Sequence, residues 1–215
     1  MDKKISKSVL KRLPGYHAYL KTLQNSESPY ISATAIANAL DMGEVQVRKD
    51  LAMVSDGGRP KVGYIREHLI EDIEQFLGYD NTTDAILVGA GRLGQALLGY
   101  NGFDEYGLNI LAGFDKSPDV EVTDNGKPIY PMDRLEDFCR TNKVLMAIIT
   151  TPDRAAQEVC DQLISCGIQA IWSFASVHLE VPDGVKVHNE NMATSLAILS
   201  VHLQAQMREK KEKDK

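Results

Sequence analysis

Ala85-Ile86-Leu87-Val88-Gly89-Ala90-Gly91-Arg92-Leu93-Gly94-Gln95-Ala96-Leu97-Leu98 is the stretch on which the fold turns. Four apolar residues in a row suit a strand buried on both faces, and residues 93–98 suit a short helix. Between them the glycines stand at G-x-G-x-x-G spacing, and each answers a separate need. Gly89 permits a tight turn, Gly91 lets a phosphate approach the backbone, and Gly94 lets the helix pack closely on the strand. With Ala90, Arg92 and Leu93 they make a turn suited to a dinucleotide pyrophosphate at a helix N-terminus. A second strand is predicted over 109–114 and ends in Asp115, twenty-one residues past Gly94. A carboxylate there accepts hydrogen bonds from a ribose diol and repels a 2′-phosphate, so NADH and NAD are expected over their phosphorylated forms. Lys116 beside it offsets part of that repulsion and joins the expected cofactor-binding residues.

Downstream the sequence alternates. Strands are predicted at 128–130, 144–149, 168–174 and 185–188, with helices at 132–142 and 153–166 between them. Strands alternating with helices imply a parallel, doubly wound α/β sheet, the Rossmann arrangement. Residues 189–207 then read as one helix, with Met192, Leu196, Leu199, Leu203 and Met207 forming an apolar stripe that must pack on the parent domain or on another subunit. The charged tail 208–215 has nothing to bury and is expected to be disordered.

Upstream there is no such rhythm. A helix is predicted over 4–23, with a break near Pro14-Gly15 and with Val9, Leu13, Tyr16, Leu20 and Leu23 on one face. Residues 28–31 read as a connection, and Ser32 as the N-cap of a helix over 34–40. Asp41-Met42-Gly43 turns the chain into a helix over 44–54, whose Val47, Leu51 and Val54 face inward while Gln46, Arg48 and Lys49 occupy the other faces. Two short helices around a three-residue turn fit a helix-turn-helix. Residues 56–64 are glycine-rich and basic, suiting a wing whose tip carries Arg59 and Lys61 toward phosphates. An amphipathic helix over 68–77 leads to a domain boundary at 78–83. The expected domains are a winged helix-turn-helix at 1–80, a Rossmann domain at 81–188, a dimerisation helix at 189–207 and the tail.

The net charge of −6 conceals an asymmetry: residues 1–80 carry 11 basic and 11 acidic side chains, and residues 81–215 carry 13 and 19. The first part is locally basic. Lys3, Lys4, Lys7, Lys11 and Arg12 oppose only Asp2 in the first twelve residues, so an acidic chain keeps a surface fit for DNA. A composition 43% hydrophobic and 25% charged is that of a soluble globular protein. No apolar run reaches membrane-spanning length and the Met-Asp-Lys-Lys start lacks an apolar signal region, so a cytoplasmic location without membrane association is expected. Cys139, Cys160 and Cys166 have neither disulfide-framework nor zinc spacing, and the five histidines have no ligand spacing, so no metal is expected.

Taken together, the motifs resemble the Rex family, bacterial redox-sensing repressors that bind DNA and are released by NADH. The resemblance rests on Arg12-Leu13-Pro14 with Tyr16 and Tyr19, Val47-Arg48-Lys49-Asp50-Leu51, the ribbon ending in Val62-Gly63-Tyr64, the glycine turn with Ala96-Leu97-Leu98 and Tyr100, Thr151-Pro152 with Ala155-Ala156-Gln157-Glu158-Val159, and Phe174-Ala175. It implies a homodimer that exchanges its C-terminal helix between subunits and binds palindromic double-stranded operator DNA. The implied DNA-binding set is Ser32, Gln46, Arg48, Lys49, Arg59, Lys61 and Tyr64. Thr150, Thr151, Pro152 and Phe174 are implied near the nicotinamide, with Gly89 to Gly94 and Asp115 on the pyrophosphate and ribose. Arg12, Tyr100 and residue 191 are implied as switch and dimer residues. Three positions depart from the family: Ser173 and Ser176 stand where Asn-Phe-Ala-Pro begins with asparagine and ends in proline, and Asn191 stands where the family has an aspartate that pairs with Arg12 across the dimer. The rival expectation is a small NAD-dependent oxidoreductase, which would need an acid or base near the nicotinamide. His178 and His188 are the histidines in that half of the sheet, and neither sits in a catalytic pattern, so no catalytic residue is expected.

Overall fold

The computed structural model describes residues 6–23, 28–118 and 121–213. The predicted helix start at residue 4, with Lys3 and Lys4, and the last two residues of the charged tail lie outside the described residues. The chain divides into two compact units, one of residues 1–82 with 104–107, the other of 83–103 with 108–215.

The first unit is a winged helix-turn-helix. Helix α1 (Lys7–Thr22) begins where the Ser6 hydroxyl accepts the Val9 N–H. It runs unbroken through Pro14 and Gly15, contrary to the predicted interruption. Burial of Val9, Leu13, Tyr16 and Leu20 on one face outweighs the single backbone hydrogen bond that Pro14 removes. Helix α2 (Ala33–Ala39) is capped by Ser32, whose hydroxyl accepts the Ala35 N–H at 3.0 Å. Helix α3 (Glu44–Val54) follows, with Val47 and Leu51 fully buried. Residues 30–31, read from sequence as part of a connection, instead form strand β1 (Tyr30–Ile31), antiparallel to β2 (Tyr64–Ile65). Two residues are too few to show alternation; the pairing is imposed by the ribbon folding back. Helix α4 (Arg66–Leu77) closes the unit against α1, where Glu74 accepts from His17 and Lys21, both at 2.8 Å.

The second unit is a six-stranded, wholly parallel sheet. Its strands are β3 (Thr83–Val88), β4 (Leu108–Asp115), β5 (Ile129–Pro131), β6 (Met146–Ile149), β7 (Ala170–Ser173) and β8 (Lys186–Asn189), in the order β5-β4-β3-β6-β7-β8. That order reverses between β3 and β6, the crevice where Rossmann sheets receive dinucleotides. Ile86, Val88, Ala147 and Ile149 join one core with α6 (Leu135–Asn142) and α7 (Asp153–Ser165). Ala85, Leu87 and Ile148 join a second core with Leu98 of α5 (Arg92–Leu98). Both faces of β3 are thus covered, which is why its sequence is a continuous apolar run.

Helix α8 spans Met192–Lys213, beginning after residue 189 and extending past the predicted end at 207. Residues 208–213, part of the run expected to be disordered, are rich in Lys and Glu, strong helix formers that extend a helix already nucleated by the apolar stripe.

Candidate nucleic-acid interface and dinucleotide site

On the first unit, Ser32, Ala33, Thr34, Arg48 and residues 58–64 surround an open hollow of about 690 Å³. Arg48 and Lys49 of α3 are exposed, and Arg48 pairs with Glu44 one turn earlier. The ribbon is closed by a bridge between Arg59 and Gly63, with Lys61 in a left-handed conformation at its tip, φ 64°. Ser32, Arg48, Arg59, Lys61 and Tyr64 therefore share one concave surface that ends in cations, a shape suited to a polyanion. Gln46 and Lys49 are exposed on α3 but do not line the hollow. Tyr64 is only 8% exposed, its ring packed under Gly58. Burial raises its phenol pKa, and the nearby Arg48 charge opposes that rise. The tyrosine thus supports the ribbon from beneath rather than projecting from it.

The glycine turn lies at the sheet reversal. Gly89 has φ +104°, and a side chain there would come within 2.8 Å of the Thr150 backbone. A Cβ on Gly94 would collide with the carbonyl oxygen of Gly89, whereas one on Gly91 would meet nothing. The turn is therefore closed at its two ends and open at its middle, where a phosphate would lie. The Ala90 N–H donates to Asp115 Oδ2 at 2.8 Å, and Asp115 Oδ1 accepts from Ser117 N–H at 3.0 Å. These bonds hold the carboxylate at the end of β4 while leaving it further acceptor capacity for a diol. Thr150 N–H donates to the Val88 carbonyl at 2.9 Å and Thr150 Oγ1 to the Gly89 carbonyl at 2.7 Å, joining the loops after β3 and β6.

A cleft of about 850 Å³ is lined by Gly89, Gly91, Asp115, Lys116, Thr150, Thr151 and Pro152. Met132, Arg154 and Glu158 also line it. Sequence reasoning did not find Met132 or Arg154 as cleft residues, and no local motif marks either. The Thr151 hydroxyl is buried without a hydrogen-bond partner among the described residues. An unpaired buried hydroxyl, an open glycine and a held carboxylate fit a dinucleotide. Arg92 and Leu93 are exposed beside the turn. Phe174 lies at the same edge of the sheet, its N–H donating to the Ile149 carbonyl, but it is outside the cleft lining. It packs on Trp172, ring centroids 4.9 Å apart, in the second core.

The switch residues fall in different settings. Arg12 is held inside its own chain by Asp50, with Nε to Oδ2 at 2.7 Å and Nη2 to Oδ1 at 2.9 Å. Asn191 Oδ1 accepts the Thr194 N–H at 3.2 Å, an N-cap to α8. Tyr100 is 55% exposed and meets Phe103 edge-on at 4.9 Å. Leu196, Leu199, Leu203 and Met207 of α8 are exposed, Leu199 by 66%.

Comparison with known proteins decides between the two expectations. Redox-sensing transcriptional repressors named Rex from Porphyromonas gingivalis and Treponema denticola are each 40% identical to this chain, over 200 and 193 residues. The matches cover 93% and 89% of this chain and 92% of each relative. The chain belongs to the Rex family. Residues 80–177 match a family described as "CoA binding domain", and residues 4–52 one described as "Putative DNA-binding protein N-terminus". The structure is similar to that of RSP, a Rex-family repressor, solved with β-NAD⁺ and operator DNA: TM-score 0.86, 32% identity, covering 100% of this chain and 99% of that one. It is similar also to RSP with β-NADH: TM-score 0.87, 32% identity, covering 98% and 99%. The Rex relatives are repressors by name, so the oxidoreductase expectation is not favoured. Among the described residues no helix is long and apolar enough to cross a membrane.

Proposed function

We propose that this protein is a cytoplasmic, NADH-responsive transcriptional repressor that binds a palindromic operator as a homodimer and leaves it when NADH binds. The observation that carries the reading is the union, in one chain, of a basic-tipped winged helix with a glycine turn open only at Gly91 and backed by Asp115. The similarity to RSP, solved both with operator DNA and with NADH, supports it. The sites follow the residues above: Arg48 and Lys49 read the major groove, Arg59 and Lys61 meet backbone phosphates, and Gly89 to Gly94 with Asp115 hold the cofactor. Helix α8 is exchanged between subunits, covering the leucines it leaves exposed in a single chain.

A ligand moves an equilibrium only by its differential affinity for the two states. NADH and NAD⁺ differ by a hydride and a positive charge at the nicotinamide ring. The differential is expected where the ring enters the cleft near Thr150, Thr151 and Pro152, because taking the cationic ring out of water costs more than taking the neutral reduced ring. Titration of a preformed complex with a palindromic duplex is expected to show release by NADH at concentrations where NAD⁺ releases little, and weaker action by NADPH because Asp115 repels its 2′-phosphate. Release by NAD⁺ and NADH at equal concentrations would remove the redox reading, and equal potency of NADPH would remove the role of Asp115.

The two classes of DNA contact separate by mutation. Arg48→Ala is expected to cost roughly 1–3 kcal/mol on the preferred duplex and little on a scrambled one, as loss of a bidentate base contact does. Lys61→Ala is expected to weaken both duplexes alike and to reduce the slope of log affinity against log salt by about one. Gel-shift titrations at several salt concentrations measure both. Identical behaviour of the two variants would contradict the division of roles.

A further inference from the structure

Asp50 is out of place in its helix. It lies on the inward face of α3 beside Val47 and Leu51 and is 3% exposed. A buried carboxylate is unfavourable unless hydrogen-bonding and ionic partners meet it. Those partners come from α1. The guanidinium of Arg12 grips both carboxylate oxygens, and the Tyr16 hydroxyl donates to Oδ2 at 2.8 Å. With the Gln46 amide oxygen turned toward it, Arg12 also donates from Nη1 and Nη2 at 3.1 and 3.0 Å. One arginine of α1 thus holds α3 at residues 46 and 50, on successive turns of the helix and on either side of Arg48 and Lys49.

Apolar packing of Val47 and Leu51 keeps α3 on the core but is non-directional, so by itself it leaves the helix free to roll slightly about its axis. A planar guanidinium fork is directional and opposes that roll. Base readout depends on where the side chains of α3 point, while contact with phosphates tolerates small rotations. We propose that Arg12, Asp50 and Tyr16 form a clamp that orients α3, making Arg12 and Asp50 positioning residues for sequence-specific DNA recognition. This rests on the reading of α3 as the recognition helix. Burial and the bond to Asp50 push the Tyr16 phenol up to about 12, and hydrogen bonding to Asp50 raises the Arg12 pKa, so the clamp keeps its donors across the physiological range. The energy of such a pair is secondary to its direction, because a well-packed apolar pair could hold the two helices together equally well.

The test uses the full-length protein, a duplex that the wild-type protein selects from a random pool, and a scrambled duplex of the same composition at the same salt. Asp50→Asn and Arg12→Gln are each expected to lower the ratio of selected to scrambled affinity about tenfold, the scale of one lost base contact. Affinity for the scrambled duplex should stay within about twofold in both variants, and affinity for NADH within about twofold in Asp50→Asn, since phosphate contacts and the other unit are untouched. The double variant should lose no more than the worse single one, because the two residues act as a unit. Arg12→Lys, which keeps the charge without the fork, should recover less than half of the lost discrimination.

Should the polar variants fail to fold, as judged by circular dichroism, Tyr16→Phe decides. It keeps the ring and the ion pair, removes one bond to Asp50, and is expected to lower the ratio about threefold, the worth of one modest hydrogen bond. Folded variants with an unchanged ratio overturn the proposal. So do additive losses in the double variant, or equal losses on both duplexes, which would make the clamp a matter of stability alone. A wild-type protein that does not discriminate between the duplexes removes the recognition-helix reading itself, and the clamp with it.

Discussion

Gly91→Val should abolish the response to NADH while leaving the protein folded and bound to DNA. Gly91 sits at φ −69° and ψ −167°, an extended conformation that a β-branched residue adopts readily, and a Cβ built there meets no other atom. The substitution therefore adds no internal clash and frees no buried group. What it fills is the approach to the backbone at the middle of the glycine turn, where the proposed site brings the pyrophosphate close. Affinity for NADH should fall at least about a hundredfold, or about 2.7 kcal/mol. The melting temperature should hold, and operator binding should persist at NADH concentrations that release the wild-type protein. Gly94→Val, three residues on, gives the opposite pattern. Its Cβ collides with the Gly89 carbonyl oxygen and its neighbours cannot move without displacing β3, so the fold is lost before the ligand is consulted. Calorimetry with NADH and thermal melting of both variants provide the comparison. NADH binding by Gly91→Val within threefold of wild type would show that the cofactor does not use this turn.

Removing residues 192–215 should convert the protein from dimer to monomer and take operator affinity down by about two orders of magnitude or more. Leu196, Leu199, Leu203 and Met207 recur on α8 at intervals of three and four, yet each is more than half exposed in the single chain. A contiguous apolar stripe of this length on a long helix marks an association surface. Joining two winged helices makes binding of the second half-site effectively intramolecular, a gain of roughly 10²–10⁴ in affinity. Loss of the dimer loses that gain, while each monomer keeps its weak contacts with one half-site. Removing only residues 208–215 should leave the dimer intact, because the stripe ends at Met207. Sedimentation or light scattering with gel shifts on full and half sites measures both effects. A stable dimer without α8 would show that association uses another surface.

Much of this architecture can be read directly from residue order. The spacing Gly89, Gly91, Gly94 with Asp115 at the end of the next strand specifies a strand, turn and helix locally, because Gly89 takes a positive φ and Gly94 packs on the Gly89 carbonyl within the same few residues. The apolar runs of β3 and β6 and the alternation of strand with helix specify a parallel sheet covered on both faces. Ser32 as an N-cap and the inward Val47 and Leu51 are likewise local signals.

Other features depend on partners distant in sequence. The pairing of Tyr30–Ile31 with Tyr64–Ile65 joins segments more than thirty residues apart, and two-residue strands carry no periodicity to announce it. Helix α1 continues through Pro14 because of what its other face buries, a term that propensity does not contain. Phe174, expected from the resemblance near the nicotinamide, packs on Trp172 and does not line the cleft. Asp50 did carry a legible sign, a carboxylate on the apolar face of an amphipathic helix. Which group met it was beyond the sequence, since Arg12 lies 38 residues away and a guanidinium reaches whatever carboxylate the packing of α1 on α3 brings within 3 Å. The sequence by itself determined most of the elements, the glycine turn and the helix-turn-helix, because those follow from backbone sterics and hydrophobic period over short spans. The tertiary structure alone decided the partners of buried charges and the direction of side chains at the edge of the sheet, because these depend on which surfaces meet when the elements pack.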